Sequence, residues 1–249
     1  MNGTRRHEVG RFLTEALSFL GILSLLFAAL FILADPAAAA EAQGGAAAVT
    51  ADEISLPAPA KTGTLSVEAA MAQRRSVREL TESAVTLNQL SQLLWAAQGI
   101  TDEKGLKRTA PSAGAKYPIE IFIVAGNVDG LASGIYRYRP QTHSLALVKK
   151  GDARAALCDE AVSQEWVRTA PLDLIITAVF ERTRVKYGDR AERYVHIEVG
   201  AVAENVYLQA ESLGLATTFV GAFTDEGVKK VLGLGDEAPL GIMPIGVGK

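Results

Sequence analysis

Residues 172–213 read LDLIITAVFERTRVKYGDRAERYVHIEVGAVAENVYLQAESL, and this stretch decides the fold. It begins with an apolar run, Leu172 to Phe180, which predicts a buried strand. A charged segment, 181–190, separates this strand from a helical pattern that ends at Gly214. Apolar residues follow a 4-3-4-4-3 spacing along the predicted helix and form one core-facing stripe: Val195, Val199, Val202, Val206, Ala210 and Leu213.

Shorter elements flank this unit on both sides. Thr86 and Gln89 form a capping-box sequence, which predicts a helix that Gly99 ends. Further strands are predicted at 120–125, 135–139, 144–148, 216–220 and 240–247, and short helices at 65–73, 152–163 and 224–232. Strands and helices do not alternate as βαβ units. The predicted fold class is therefore α+β, a mainly antiparallel sheet flanked by helices.

Composition excludes several classes of protein. The chain has 249 residues, 49% of them apolar, and a formal net charge of -3, which excludes a disordered chain and argues against nucleic-acid binding. A single cysteine, Cys158, excludes a disulfide scaffold. His7, His143 and His196 lack metal-ligand spacing, so no metal site is predicted.

The N-terminal segment predicts export. Arginines at 5, 6 and 11 precede an uncharged apolar run, 16–34, and the alanines at 37–40 resemble a cleavage site. Residues 1–40 are therefore either a cleaved signal peptide or an uncleaved membrane anchor through 16–34. Arg5-Arg6 gives a weak twin-arginine pattern. We expect a periplasmic location, or a membrane-anchored one facing outside the cytoplasm, with an Ala/Gly/Pro-rich linker at 41–63 and one domain at 64–249.

Two segments in the first half of that domain could bind anions. Arg74, Arg75, Ser76 and Arg78 place three guanidinium groups and one hydroxyl within five residues, which suits a phosphate or describes a solvated basic patch. Residues 108–118, RTAPSAGAKYP, combine small residues with a hydroxyl at Ser112. Such a loop allows a ligand close to its backbone, although a plain loop before a strand has the same composition.

Two further segments lie in the second half. Phe219 to Phe223, FVGAF, places a small pair between aromatic residues, where a flat ring could stack on the backbone. Lys186 and Tyr187 are adjacent in the charged segment after the apolar strand. They form either an acid/base pair, if burial shifts their pKa values, or part of a charged loop before the long helix.

Together these motifs resemble a known family. The strings RRSVR, LSQLLWAAQGI, APSAGAKYP, GIYRY, VFERTRVKYGDRAERY and VGAF occur in this order between residues 65 and 249. The ordered set resembles the nitroreductase superfamily. More closely, it resembles the SagB-type branch of FMN-dependent dehydrogenases, which oxidise thiazolines and oxazolines during ribosomal peptide maturation.

The resemblance implies an α+β sandwich built as an intertwined homodimer with one FMN in each interfacial cleft. By position, Arg74 and Ser76 hold the phosphate and ribityl end, Arg75 is a further contact, and Arg78 lies near the pyrimidine edge. Ser112 and Gly114 line the flavin edge, Gly221 and Ala222 present backbone to the ring, and the Val stripe of the long helix supplies the dimer core. Lys186 and Tyr187 match a Lys-Tyr pair associated with proton removal. Lys249 stands near the place of a basic residue that reaches the phosphate in some members.

The leading hypothesis is an FMN-dependent oxidoreductase that transfers two electrons, as hydride, between flavin and a small organic or peptide-derived substrate. One alternative is a flavin-binding or sensing module without turnover, which needs Arg74 and Ser76 but not Lys186 or Tyr187. Another is an NAD(P)H-dependent nitroreductase proper. Export bears on the electron partner, because NAD(P)H is expected to be scarce outside the cytoplasm, and quinone or oxygen then remain.

Overall fold

The computed structural model describes residues 53–249. The predicted signal peptide or anchor, with its apolar run at 16–34, lies outside the described residues, as does most of the predicted linker. From residue 53 onwards, no helix is both long enough and apolar enough to span a bilayer.

A seven-stranded sheet forms the centre of the described domain. The strands along the chain are β1 (Glu53–Ser55), β2 (Val85–Thr86), β3 (Ile119–Ala125), β4 (Val128–Asp129), β5 (Gly134–Arg139), β6 (Ser144–Lys150), β7 (Leu172–Ala178), β8 (Ala216–Thr217) and β9 (Ala238–Gly246). Within residues 53–249 the large sheet has the order β1-β6-β5-β3-β7-β9-β8, and each neighbouring pair is antiparallel. Strands β2 and β4 form a separate parallel pair. The predicted α+β class with a mainly antiparallel sheet is confirmed.

Helices cover both faces of this sheet. In chain order they are α1 (Val67–Gln73), α2 (Leu87–Gln98), α3 (Arg154–Glu160), α4 (Glu165–Thr169), α5 (Phe180–Tyr187), α6 (Ala191–Ser212) and α7 (Asp225–Leu232). The predicted capping box at the start of α2 is present, with both reciprocal hydrogen bonds between Thr86 and Gln89.

Strand β7 separates two hydrophobic cores. Its alternate residues Leu172, Leu174 and Ile176 face the core that contains α2 and α6. Ile175 faces the opposite core, which contains α3, α4 and α7. Because successive side chains point to opposite faces, a strand buried on both faces has a continuous apolar sequence.

The Val stripe of α6 lies in the core of its own protomer. Val195, Val202 and Val206 are fully buried in the core beneath α6, together with α2 and the sheet. The expectation that this stripe supplies the dimer core is therefore wrong. The reason is that one chain alone already covers the apolar face of the helix.

Two segments differ from their predicted structure. Residues 53–55, assigned to the linker, form the edge strand β1, which pairs with β6. The following Leu56 N–H donates to the carbonyl of His143 at 3.1 Å. Most of the charged segment after β7 forms helix α5 instead of a loop. One side of this helix packs inward, and Thr183 is the residue buried there.

Candidate functional site

The arginine segment lies beside strand β8. Ser76 forms a parallel bridge with Thr217, and the Val77 N–H donates to the Thr217 carbonyl at 3.0 Å. The hydroxyl of Tyr207, on α6, lies 3.2 Å from Ser76 Oγ and accepts a hydrogen bond from the Phe219 N–H at 2.7 Å. The structure thus brings together the RRSVR and FVGAF motifs, which lie about 140 residues apart in the sequence.

The three arginines of this segment point in different directions. The Arg74 guanidinium lies over the Tyr207 ring, 5.1 Å from its centroid, next to Ser76. Arg75 turns back and donates to the carbonyls of Ala72 and Arg74, at the end of α1. Unlike Arg74 and Arg78, Arg75 therefore has its guanidinium engaged with carbonyls at the end of its own helix.

Arg78 and Ala222 converge on the start of α4. The Arg78 guanidinium lies 5.7 Å from the centroid of the Trp166 ring. The Gln164 side chain donates to the Ala222 carbonyl at 3.1 Å. Gly221 and Ala222 are exposed directly after the Val220–Ile242 bridge, so their backbone is accessible.

These contacts define a first cluster, which comprises Arg74, Ser76, Arg78, Tyr207 and residues 217–222. The chain end lies beside it, because the Lys249 N–H donates to the Glu79 carbonyl at 3.0 Å. Thr217 Oγ1 is buried and has no hydrogen-bond partner among the described residues.

A second cluster forms around the small-residue loop. Gly114, Ala115 and Tyr117 have φ values of 58°, 53° and 46°, a conformation that L-residues rarely adopt. The Tyr117 N–H donates to Ser112 Oγ at 2.8 Å and closes the turn. A Cβ on Gly114 would lie 2.7 Å from Lys186 Nζ and 2.7 Å from the Tyr187 hydroxyl. The Lys-Tyr pair therefore packs directly against the loop at the position that lacks a side chain.

The floor of the second cluster is a face of α6. The Tyr187 ring packs edge-on against Tyr194, with 4.9 Å between the centroids. One turn further along α6, Glu198 Oε1 accepts a hydrogen bond from the Ala113 N–H at 2.8 Å. Glu198 is only 5% exposed, and burial raises its pKa, while hydrogen bonds from Ala113 and Ser112 act in the opposite direction.

Motif reasoning overlooked Glu198 and Tyr207. A signal for Glu198 was present in the periodicity, because it lies three residues after Val195 and four before Val202, on the core-facing side. A carboxyl group at such a position requires a buried partner. Tyr207 follows Val206 and offered no comparable signal.

The two clusters occupy different positions along α6. Tyr207 and Glu198 are nine residues apart, which corresponds to about 13 Å along the helix axis. The residues fit a flavin nucleotide in two respects. The first cluster supplies cationic and hydroxyl donors for a phosphate, and the buried Thr217 hydroxyl lacks a hydrogen-bond partner among the described residues.

The fold and the two clusters define a class of protein: an α+β domain with an anion-binding end and a Lys-Tyr end, suited to a phosphorylated planar cofactor. The model of the nitroreductase family matches residues 71–247, so the chain belongs to this family of flavin-dependent oxidoreductases. The resemblance drawn from the ordered motifs is confirmed.

Named relatives span both reductases and peptide-processing proteins. MJ1384 of Methanocaldococcus jannaschii, a nitroreductase by name, is 47% identical over 182 residues, which cover 73% of this chain and 91% of the relative. The microcin B17-processing protein McbC of Escherichia coli is 26% identical over 61% of this chain, which spans only 58% of McbC. A crystal structure described as that of a nitroreductase from Ralstonia eutropha JMP134 superposes on this chain with a TM-score of 0.70 at 31% identity. The superposition covers 80% of this chain and 90% of the Ralstonia chain.

Proposed function

We propose that the protein is an FMN-dependent oxidoreductase that moves two electrons, as hydride, between flavin and a small organic or peptide-derived substrate. The observation that carries this proposal is the packing of Lys186 and Tyr187 against Gly114. Two groups able to exchange protons lie together against the backbone of the small-residue loop.

The first cluster would hold the phosphate and ribityl end. Arg74 supplies a guanidinium that Tyr207 orients from below, and Ser76 supplies a hydroxyl. Arg78, which like Ala222 contacts the start of α4, would place positive charge at the other edge of the ring. Arg75 is the weaker candidate, because its guanidinium is engaged with carbonyls of α1.

The second cluster would handle protons. Bound FMN supplies the hydride chemistry, and the protein supplies orientation and charge. Lys186 Nζ and the Tyr187 hydroxyl can remove or return the proton that accompanies hydride transfer at a carbon or nitrogen of the substrate. The Tyr194 ring fixes the Tyr187 ring and thereby the direction of its hydroxyl group.

The complete site would form between two copies of the chain. In one chain the phosphate-binding cluster and the Lys-Tyr cluster lie about 13 Å apart along α6. Ile197, next to Glu198 on the same helix, is 63% exposed, and Gly200, one turn further, has open space beside its Cα. A second copy packed on this face would bring its own second cluster towards the first cluster of its partner.

Two substrate classes have support from relatives. McbC processes the peptide microcin B17, according to its name, which favours a peptide-derived substrate. The greater identity to a protein named as a nitroreductase favours an NAD(P)H-dependent nitroreductase as the second candidate. Export through residues 1–40 remains part of the proposal, and with it quinone or oxygen as the electron partner.

Replacement of the Lys-Tyr pair tests the catalytic part of the proposal. Flavin reduction and reoxidation would be followed in Lys186→Ala and Tyr187→Phe with NADH, NADPH, nitroaromatics and a thiazoline peptide. We expect a loss of at least about 100-fold in turnover with flavin still bound, typical of a removed acid or base. Arg184→Ala, an exposed change on the same helix, is the control. Unchanged turnover in both variants would contradict the catalytic role of the pair, whereas a wild type that binds flavin but turns over none of these substrates would favour the flavin-binding module.

A further inference from the structure

Glu198 is a buried carboxyl group that none of the steps above uses. It lies on the core-facing side of α6, is 5% exposed, and directs Oε1 at the Ala113 N–H at 2.8 Å. Burial of a carboxyl group is costly unless hydrogen bonds compensate. A buried carboxyl group on the otherwise apolar, core-facing side of α6 therefore requires an explanation.

The loop that Glu198 holds is itself strained. Three residues between 114 and 117 have positive φ, and two of them, Ala115 and Tyr117, are not glycine. For a residue other than glycine such a conformation is strained, and it persists only where neighbouring contacts enforce it. Glu198 holds the Ala113 end of the loop, and the Tyr117 end is held by the bond to Ser112 and by Arg182, which donates to the Tyr117 carbonyl at 3.0 Å.

The same loop meets the Lys-Tyr pair. Gly114 is the residue after Ala113, and the heads of Lys186 and Tyr187 fill the place of its absent side chain. Tyr194 supports Tyr187 from the turn of α6 that precedes Glu198. One face of α6, through Tyr194 and Glu198, therefore positions both the Lys-Tyr pair and the loop that it contacts.

From this chain of contacts we infer that Glu198 is the positioning residue of the proposed active site. As a hydrogen-bond acceptor for the Ala113 N–H, it holds the 112–117 loop in the position in which Gly114 contacts Lys186 and Tyr187. Its role depends on the reach and accepting oxygen of the side chain, and not on a negative charge.

Three substitutions separate these properties. Glu198→Gln keeps the reach and the accepting oxygen without the charge. Glu198→Asp keeps the charge but is one methylene shorter, and Glu198→Ala removes both. Glu204→Ala, an exposed position on the same helix, is the matched control.

Amide hydrogen exchange of residues 113–117 in the full-length protein without added flavin is the primary measurement. We expect exchange at Ala113 to rise about tenfold or more in Glu198→Ala and Glu198→Asp, the effect of one lost hydrogen bond. Glu198→Gln and Glu204→Ala should stay within about threefold of the wild type. Exchange as fast in Glu198→Gln as in Glu198→Asp would overturn the inference, as would unchanged exchange in Glu198→Asp.

The inference rests on the proposed function only for its second readout. With FMN bound, kcat should fall about tenfold in Glu198→Asp and recover in Glu198→Gln, while KM for the substrate changes less than about threefold. Normal kcat in Glu198→Asp would overturn the positioning role. If the wild type binds no FMN, the proposed function fails, whereas the exchange result still decides whether Glu198 holds the loop.

Discussion

Gly114 is the residue at which two distant motifs meet. It combines a φ of 58° with a position where a Cβ would lie 2.7 Å from two polar side-chain atoms. Glycine is required here for two independent reasons, namely backbone conformation and space. Loop composition indicated that another group could come close to its backbone, but only the fold shows which side chains fill the space beside it.

Replacement of Gly114 by alanine should displace the Lys-Tyr pair. Gly130 is the matched control, because it has a φ of 77° and open space at the place where a Cβ would stand. Both alanine variants should lose about 1 kcal/mol of stability from backbone strain. Only Gly114→Ala should also lose turnover, by at least about tenfold. Equal turnover in the two variants would contradict this account.

Asp173 makes stability depend on pH. It is fully buried on β7, both carboxyl oxygens lack hydrogen-bond partners among the described residues, and burial raises its pKa well above its usual range. Above about pH 4 the unfolded chain releases this proton while the folded chain retains it. Stability therefore falls as pH rises from the unfolded pKa to the raised folded pKa.

Substitution of Asp173 by asparagine should remove this pH dependence. We expect urea unfolding at about pH 5 and about pH 8 to show a larger stability loss with rising pH in the wild type than in Asp173→Asn. The limiting slope for one group is about 1.4 kcal/mol per pH unit. Asp152→Asn is the opposite control, because hydrogen bonds from Arg154 lower the pKa of Asp152 and its contribution is lost as pH falls. Parallel pH profiles for the wild type and Asp173→Asn would contradict the argument.

At the scale of elements, apolar periodicity predicted the helices and strands that have a buried face. Helices α2 and α6 and strands β3, β5, β6 and β7 follow from apolar spacing and caps. Helix α5 did not, because six of the ten residues in the charged segment are charged and only Thr183 is buried. Strand β1 also escaped prediction, since three residues carry too little pattern and the strand depends on its pairing with β6.

The arm that contains β1 should stabilise the whole domain. Leu56 is only 9% exposed, and the Pro57 carbonyl accepts from Ser91 Oγ and lies 3.0 Å from His143 Nε2. A fragment of residues 64–249 lacks these contacts, whereas 41–249 keeps them. We expect the shorter fragment to be less stable by about 2 kcal/mol, or several degrees in Tm. Equal melting temperatures would show that the arm is dispensable.

At the scale of the whole molecule, the family and its fold could be predicted from the ordered motifs, but the grouping of the motifs in space could not. Sequence order places Ser112 nearer to Arg78 than to Glu198, yet the fold joins Ser112 to α6 and Arg78 to α4. Contacts between elements set these groupings, and they leave no periodic trace in the sequence. Arg75, predicted as a further flavin contact, donates to the carbonyls of Ala72 and Arg74 at the end of its own helix.

A dimer that shares its sites should lose flavin when it dissociates. Ile197→Arg places a charge on the exposed face of α6 without touching either cluster. We expect this variant to sediment as a monomer, to keep its far-UV circular dichroism, and to bind FMN at least about 100-fold more weakly than the wild type. Val185→Arg, at an apolar position on α5 that is 78% exposed, is the control. Tight FMN binding by a monomeric Ile197→Arg protein would contradict the shared site.

The most direct test of the central claim is a titration of the purified 41–249 fragment with FMN, followed by visible absorption and fluorescence. The account predicts a yellow protein that binds one FMN per chain and quenches its fluorescence, with binding lost in an Arg74→Ala, Ser76→Ala double variant. A colourless protein that leaves the FMN spectrum unchanged at saturating concentrations would contradict it.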